Sequence, residues 1–177
     1  MITFHVEPLE TCWAEIYNKP EGLAYQHWCE TQQHRHNQPY NPLFERYNQY
    51  AKFGCFLQFT VRNNEKIVGY SGVYIVPSMH SQMLICVEDT WFLLPEYRKG
   101  WNAVRFYKWI ETYCKSLGAV EATLTIPNTK DTRLGHMLER LDYLPISVQY
   151  SKTLYRADSA NPKIVSVESA NERKEAV

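Results

Sequence analysis

The chain has 177 residues, 45% of them hydrophobic and 21% charged, the length and balance of one globular domain with a full core. Nineteen basic and nineteen acidic residues give a formal net charge of zero, which argues against a bulk electrostatic pull toward nucleic acid or a membrane surface. The N-terminal stretch Met1 to Val6 has no basic n-region or long apolar core, and no segment reaches membrane-spanning length.

Ile2 to Val6 reads as a short strand, and Leu9, Trp13, Ile16 and Tyr17 as a first helix ending near Lys19-Pro20. Residues 21 to 50 are rich in aromatic, His, Gln and Asn side chains and predict one or two helices broken at Gln38-Pro-Tyr-Asn-Pro42. Cys55 to Arg62 and Lys66 to Val76 form a hairpin across Asn63-Asn64. Leu84 to Leu94 is a long, largely apolar strand interrupted by Glu88 and Asp89. Ala103, Phe106, Tyr107, Ile110, Tyr113, Cys114 and Leu117 then recur at helical spacing, with Gly118 as a natural stop. Val120 to Ile126 is a strand closed by Pro127, Thr132 to Leu141 a helix, and Ile146 to Tyr155 a last strand. From Ala157 the sequence is polar and poorly patterned, so the expected division is a domain over 1–156 and a loose tail over 157–177. Cys12, Cys29, Cys55, Cys86 and Cys114 are odd in number and set mostly among apolar residues, the usage of reduced thiols in a cytoplasmic protein.

The strand ending at Leu94 runs into the helix at Ala103 through Pro95-Glu-Tyr-Arg-Lys-Gly-Trp-Asn102. Such a junction makes an anion site, because the first N–H groups of the helix lack intrahelical partners and the macrodipole favours negative charge. Arg98 and Lys99 bring basic side chains to the same turn, so a phosphate-bearing ligand is expected there. A tryptophan does not take a positive φ easily, and Gly100 or Asn102 is expected to absorb the turn.

At these residues the chain resembles the GNAT superfamily of acetyl-CoA-dependent N-acetyltransferases, whose central strand ends in Pro-x-Tyr-Arg and whose Arg-x-x-Gly-x-Gly/Ala loop holds the CoA pyrophosphate. Arg98 and Ala103 match that loop, while Trp101 stands at its first glycine and Gly100 one place earlier. The displaced glycine resembles members encoded by tailed bacteriophages, as do His27-Trp28-Cys29-Glu30, Val68-Gly69-Tyr70 and Pro77-Ser78-Met79-His80. The resemblance covers about Glu7 to Arg156 and is firm from about residue 55. It implies an α/β fold with a mixed, mostly antiparallel sheet of about six or seven strands and about four helices. It also implies acetyl-CoA as cosubstrate, bound by Arg98, Lys99, Gly100, Trp101, Asn102 and Ala103, with Asn128 on the pantetheine or phosphate arm. Leu93 or its neighbour would supply the N–H donor for the oxyanion.

Amine attack on a thioester needs a proton acceptor, and the two strand carboxylates are the residues that offer one. Adjacent in a strand, Glu88 and Asp89 face opposite sides of the sheet. Asp89 lies closer to the family's acidic position and shares a face with Trp91 and Leu93 by simple alternation, which makes it the first choice as base and Glu88 the second. A carboxylate tied to a neighbouring Arg or to backbone donors is the structural alternative. The family's acidic tyrosine is replaced by Leu138; Tyr143 reads as core, and Tyr97, His136, Tyr150 or direct thiolate release are the substitutes. His80 at the hairpin end and His27 are candidates for the acceptor site, with a surface turn histidine as the alternative reading of His80. His27, Cys29, His34 and His36 lack metal-ligand spacing, so no metal is expected. Aromatics between Tyr25 and Tyr50 read as packing, with an acceptor wall or base-stacking platform as the alternative.

The expectation is therefore N-acetyl transfer to a primary amine of a small molecule, a protein or a modified base, by a monomer or homodimer working in the cytoplasm (of the host, if phage-encoded) and not at a membrane. The alternative is an inactive protein of the same fold that binds a partner protein or, less favoured, nucleic acid.

Overall fold

Period-two patterning builds the central sheet of the computed structural model, which describes residues 1–33, 39–126 and 133–147. Strands β1 (Ile2–Val6), β2 (Phe56–Asn63), β3 (Lys66–Pro77), β4 (Leu84–Leu93) and β5 (Glu121–Thr123) lie side by side in chain order. Neighbours are antiparallel except β4 and β5. Those two run parallel because helix α4 (Asn102–Ser116) carries the chain back between them. The β2–β3 turn falls at the expected asparagines, with Asn64 at φ 54°.

Helices α1 (Leu9–Tyr17), α2 (Leu23–Thr31) and α3 (Phe44–Lys52) cover one face of the sheet. Their aromatic side chains meet those of the strands: Tyr17 and Tyr70 at 6.0 Å, Tyr47 and Phe56 at 5.3 Å, His27 and Phe92 at 5.1 Å between centroids. Helix α4 covers the other face, where Phe106 stacks on Phe4 at 5.6 Å and Trp109 meets Phe59 edge-on at 5.5 Å. The apolar stripe that predicts α4 is the stripe it buries, and Gly118 ends it at φ 89°. The aromatics of α1 to α3 therefore pack, as the plain reading of that segment expects.

Several boundaries differ from the sequence expectation. Among the described residues the sheet has five strands and there are five α-helices, because the segment from 21 to 52 divides into α2 and α3. Strand β5 has three residues rather than seven, since its pairing with β4 stops at Val87 and Thr123. Helix α5 (Arg133–Glu139) is shorter than expected. Most of the strand expected over 146–155, and all of the tail over 157–177, lie outside the described residues. No helix among the described residues is long and apolar enough to cross a membrane.

Gly69 shows how tightly β3 and β4 approach. A Cβ there would meet the Leu93 side chain and stand 2.9 Å from the Phe92 carbonyl oxygen. Gly69→Ala is expected to destabilise the protein by about 1–3 kcal/mol, seen as a lower urea midpoint with an unchanged slope. A wild-type midpoint would show that this crossing is not close-packed.

Candidate active site

One extra residue in β4 sets the geometry of the site. Gly72 pairs with Thr90 and Val73 with Glu88, so Asp89 is a bulge with no partner of its own. The bulge shifts the alternation of every residue beyond it. Glu88 lines a cavity under α4 with Tyr107 and Cys114, and Trp91 stacks on Tyr107 at 4.8 Å. Asp89 lies on the opposite face, its charge felt by Tyr17, Tyr47, Tyr70 and Tyr74. The two carboxylates do face opposite sides, but Glu88 and not Asp89 shares a face with Trp91. The bulge removes the shared face from the argument for Asp89 and leaves its nearness to the family's acidic position as it was.

Environment separates the carboxylates further. Burial pushes Glu88 up to about 7, although the Thr125 N–H, 3.0 Å from its Oε2, favours the charged form. Asp89 remains open to solvent, yet partial dehydration by the surrounding protein raises its pKa as well. The Glu88–Thr125 bond falls just past the last β4–β5 rung, so a side chain bridges the strands where the backbone ladder ends.

Beyond that bridge the β4–β5 pairing stops, and among the described residues no strand pairs with this edge of β4. Leu94 N–H bonds the Val68 carbonyl, which places Trp91 and Leu93 in the non-hydrogen-bonded positions of the β3–β4 ladder. Their N–H groups point away from β3, into the split. The Leu93 carbonyl points the same way and accepts a 2.7 Å bond from Arg98 Nε.

The turn at the head of the split follows from Pro95 and Gly100. Pro95 opens a single 3₁₀ turn through Tyr97, and Gly100 takes φ 69°, absorbing the reversal that Trp101 at φ −97° does not. The first intrahelical bond of α4 runs from Arg105 N–H to the Trp101 carbonyl, leaving the N–H groups of Asn102, Ala103 and Val104 without helical acceptors. The first turn carries no acidic residue. Asn102 donates its side-chain amide to the Tyr97 carbonyl, 3.3 Å away, and Trp101 stands 74% exposed at the rim.

Arg98 has partners within the protein. Its guanidinium bonds both Glu30 oxygens of α2, at 3.0 and 2.7 Å, and lies 5.0 Å from the Phe92 ring centroid. It braces the turn against α2. Lys99 is exposed beside it. His27 stacks on Phe92, and its Nδ1 lies 3.0 Å from the Tyr70 hydroxyl. Burial, with the Arg98 charge, pushes His27 down to about 4, so it is neutral at pH 7.

The structure does not bring His80 to the site. It lies at the exposed tip of the β3–β4 hairpin, and the strand between Leu84 and Asp89 alone spans about 17 Å. That position is the surface turn given as the alternative reading of His80. Asn128, Tyr150, His34 and His36 lie outside the described residues. Of the other substitutes for the missing acid, Tyr97 accepts a bond from Asn63 and His136 pairs with Glu139 on an exposed surface. Leu138 is buried, and Tyr143 packs beside Tyr107 and Cys114. All five cysteines are free, and among the described residues no three His, Cys, Asp or Glu side chains converge to hold a metal.

No protein-family model matches the chain, and no curated protein matches it by sequence. Solved structures match it by shape. An aminoglycoside acetyltransferase from an uncultured soil metagenomic sample superposes with TM-score 0.68 at 12% identity, covering 87% of this chain and 97% of that one. A ribosomal-protein-alanine N-acetyltransferase from Brucella melitensis gives 0.60 at 12% identity, over 88% and 97%. A GNAT family acetyltransferase from Staphylococcus aureus gives 0.56 at 16% identity, over 86% and 98%. The chain has the fold of GNAT acetyltransferases.

Glu88 makes stability depend on pH with a definite sign. Its pKa is raised from 4.5 to about 7, so the folded state holds a proton that the unfolded chain releases between those values. That contribution is present below pH 4.5 and disappears as pH rises to 7. Glu88→Gln keeps an acceptor for Thr125 but has no charge to bury. The Tm of the variant relative to wild type is expected to climb between pH 4.5 and 7 and then level off. A constant difference would mean that Glu88 titrates normally.

Proposed function

We propose that the protein transfers an acetyl group from acetyl-CoA to a primary amine. The observation that carries this reading is the split between β4 and β5, headed by the open N-terminus of α4 and floored by a carboxylate of raised pKa. The N–H groups of Asn102, Ala103 and Val104 suit a pyrophosphate, with no helix carboxylate to repel it, and Gly100 lets the backbone approach closely. The exposed Trp101 ring suits stacking against a heterocycle, and Lys99 adds charge at the rim. The pantetheine arm would lie along the unpaired edge of β4.

In the reaction the amine nitrogen bonds to the thioester carbonyl carbon, the carbon–sulfur bond breaks, and the thiolate leaves. The Leu93 or Trp91 N–H, aimed into the split, is placed to stabilise the oxyanion. Glu88 takes the proton of the attacking amine, directly or through water, because its pKa near 7 matches the operating range of a general base. Asp89, on the opposite face, attracts the cationic form of the acceptor and is the alternative base. His27 shapes that side as a neutral ring. With Leu138 in the place of the usual tyrosine, the thiolate departs to solvent. The acceptor is a small molecule, a protein amine or a modified base.

A second reading, a partner-binding protein without turnover, is favoured by the buried Leu138 and by Trp101 at a glycine position. Thiol release from acetyl-CoA over a panel of primary amines decides between them. Turnover is expected, with kcat reduced about 10²- to 10⁴-fold by Glu88→Gln and with KM for the amine raised more than kcat falls by Asp89→Asn. The reverse pattern would make Asp89 the base. Saturable acetyl-CoA binding without thiol release for any amine would favour the partner-binding protein.

A further inference from the structure

Beneath the split, between β3, β4, β5 and α4, lies a small cavity with room for about 20 Å³ of solvent. That is enough for a water. Ser71 lines it from β3 and Glu88 from β4. Ser71 is 1% exposed, and its buried hydroxyl has no hydrogen-bond partner among the described residues. A buried orphan hydroxyl is uncommon in native proteins and calls for a cause. Glu88 Oε2 accepts from Thr125, a bond that does not use Oε1. Thr123 and Tyr107 add further polar groups to the wall, so a water would find the two to four partners it needs. Trp91 Nε1 is a second buried orphan, across the ladder from Ser71, but the indole does not line the cavity.

We propose that Ser71 and Glu88 hold one buried water between them, and that Ser71 is thereby a positioning residue for the Glu88 carboxylate. Ser71 donates to the water, or the water to Ser71, and the water donates to the charged carboxylate. Its value to catalysis rests on the reading of Glu88 as base. The unit fixes the carboxylate from below, as Thr125 fixes it from the side, and leaves its proton exchangeable. Other titratable groups face Glu88: Asp89 and Cys86 on its own strand, Tyr107, Glu111 and Cys114 on α4, and Tyr143 after α5. Of these Tyr107 and Tyr143 are held above their ordinary range by burial, and Asp89 acts from across the bulge to raise Glu88.

The test follows the Glu88 carboxyl by carbon-13 NMR in protein labelled at glutamate, with the Glu88→Gln spectrum identifying its resonance. Wild type is expected to titrate near 7. Ser71→Ala, which leaves room for the water but removes its anchor, should move that midpoint upward by about half a unit to one unit, because a donor to the charged form is weakened. Ser71→Val, which fills the cavity, should move it at least as far. Acetyl-CoA affinity should be unchanged in both. A midpoint unmoved by Ser71→Ala overturns the proposal. So does a high-resolution structure of the wild type with no water within hydrogen-bonding distance of both Ser71 Oγ and Glu88. A shifted midpoint together with undiminished turnover by Glu88→Gln would support the buried-water unit while removing Glu88 as the base, so the two failures are distinguishable.

Discussion

The bulge at Asp89 is the constraint on which the site depends. Without the extra residue, strict alternation would put Glu88, Thr90 and Phe92 on one face and Asp89, Trp91 and Leu93 on the other. With it, Glu88 and Trp91 both face α4 while Asp89 turns toward the tyrosines of α1, α3 and β3. The bulge also increases local twist and bends β4 where β5 stops following it. A parallel pair that closed all the way along would offer no unpaired N–H and no opening. Here the backbone ladder ends at Val87 and Thr123, one carboxylate–amide bond bridges the strands just beyond, and among the described residues no strand pairs with the rest of that β4 edge.

The two ends of the split have different physics. At the head, the charge comes from backbone dipoles and open N–H groups, a source that needs no side chain and is not titrated. At the floor, a carboxylate sits in surroundings that disfavour its charge, so its proton affinity lies near neutrality. A phosphate-bearing thioester would therefore be held by one end and meet chemistry at the other. The clamp between Arg98 and Glu30 keeps the head in place by tying the turn to α2, and the cost of ordering it is shared with the cation–π contact on Phe92.

Much of this was legible in the sequence, and the part that was not has a common cause. The strand, the turn at Gly100 and the helix to Gly118 are local, so apolar periodicity and glycine punctuation report them directly. The paired carboxylates and their opposite orientation are local too. The bulge is not, because it exists only in the register between β4 and β3, and nothing in the order Glu88-Asp89-Thr90 marks which residue is the extra one. The Arg98–Glu30 pair joins residues 68 apart, so local patterning does not report it. The orphan hydroxyl of Ser71 depends on three strands and a helix meeting imperfectly. For His80, patterning places a residue at the end of a strand but does not say what that end faces.

In the proposed function the open N-terminus of α4 and the split beside it bind acetyl-CoA. Calorimetric titration of the protein with acetyl-CoA, alongside Gly100→Val, tests it most directly, since valine resists the φ of 69° that the turn requires. The account predicts saturable one-to-one binding by the wild type, weakened at least about tenfold in the variant while the protein stays folded. Absence of binding by the wild type, or equal binding by a folded variant, would contradict it.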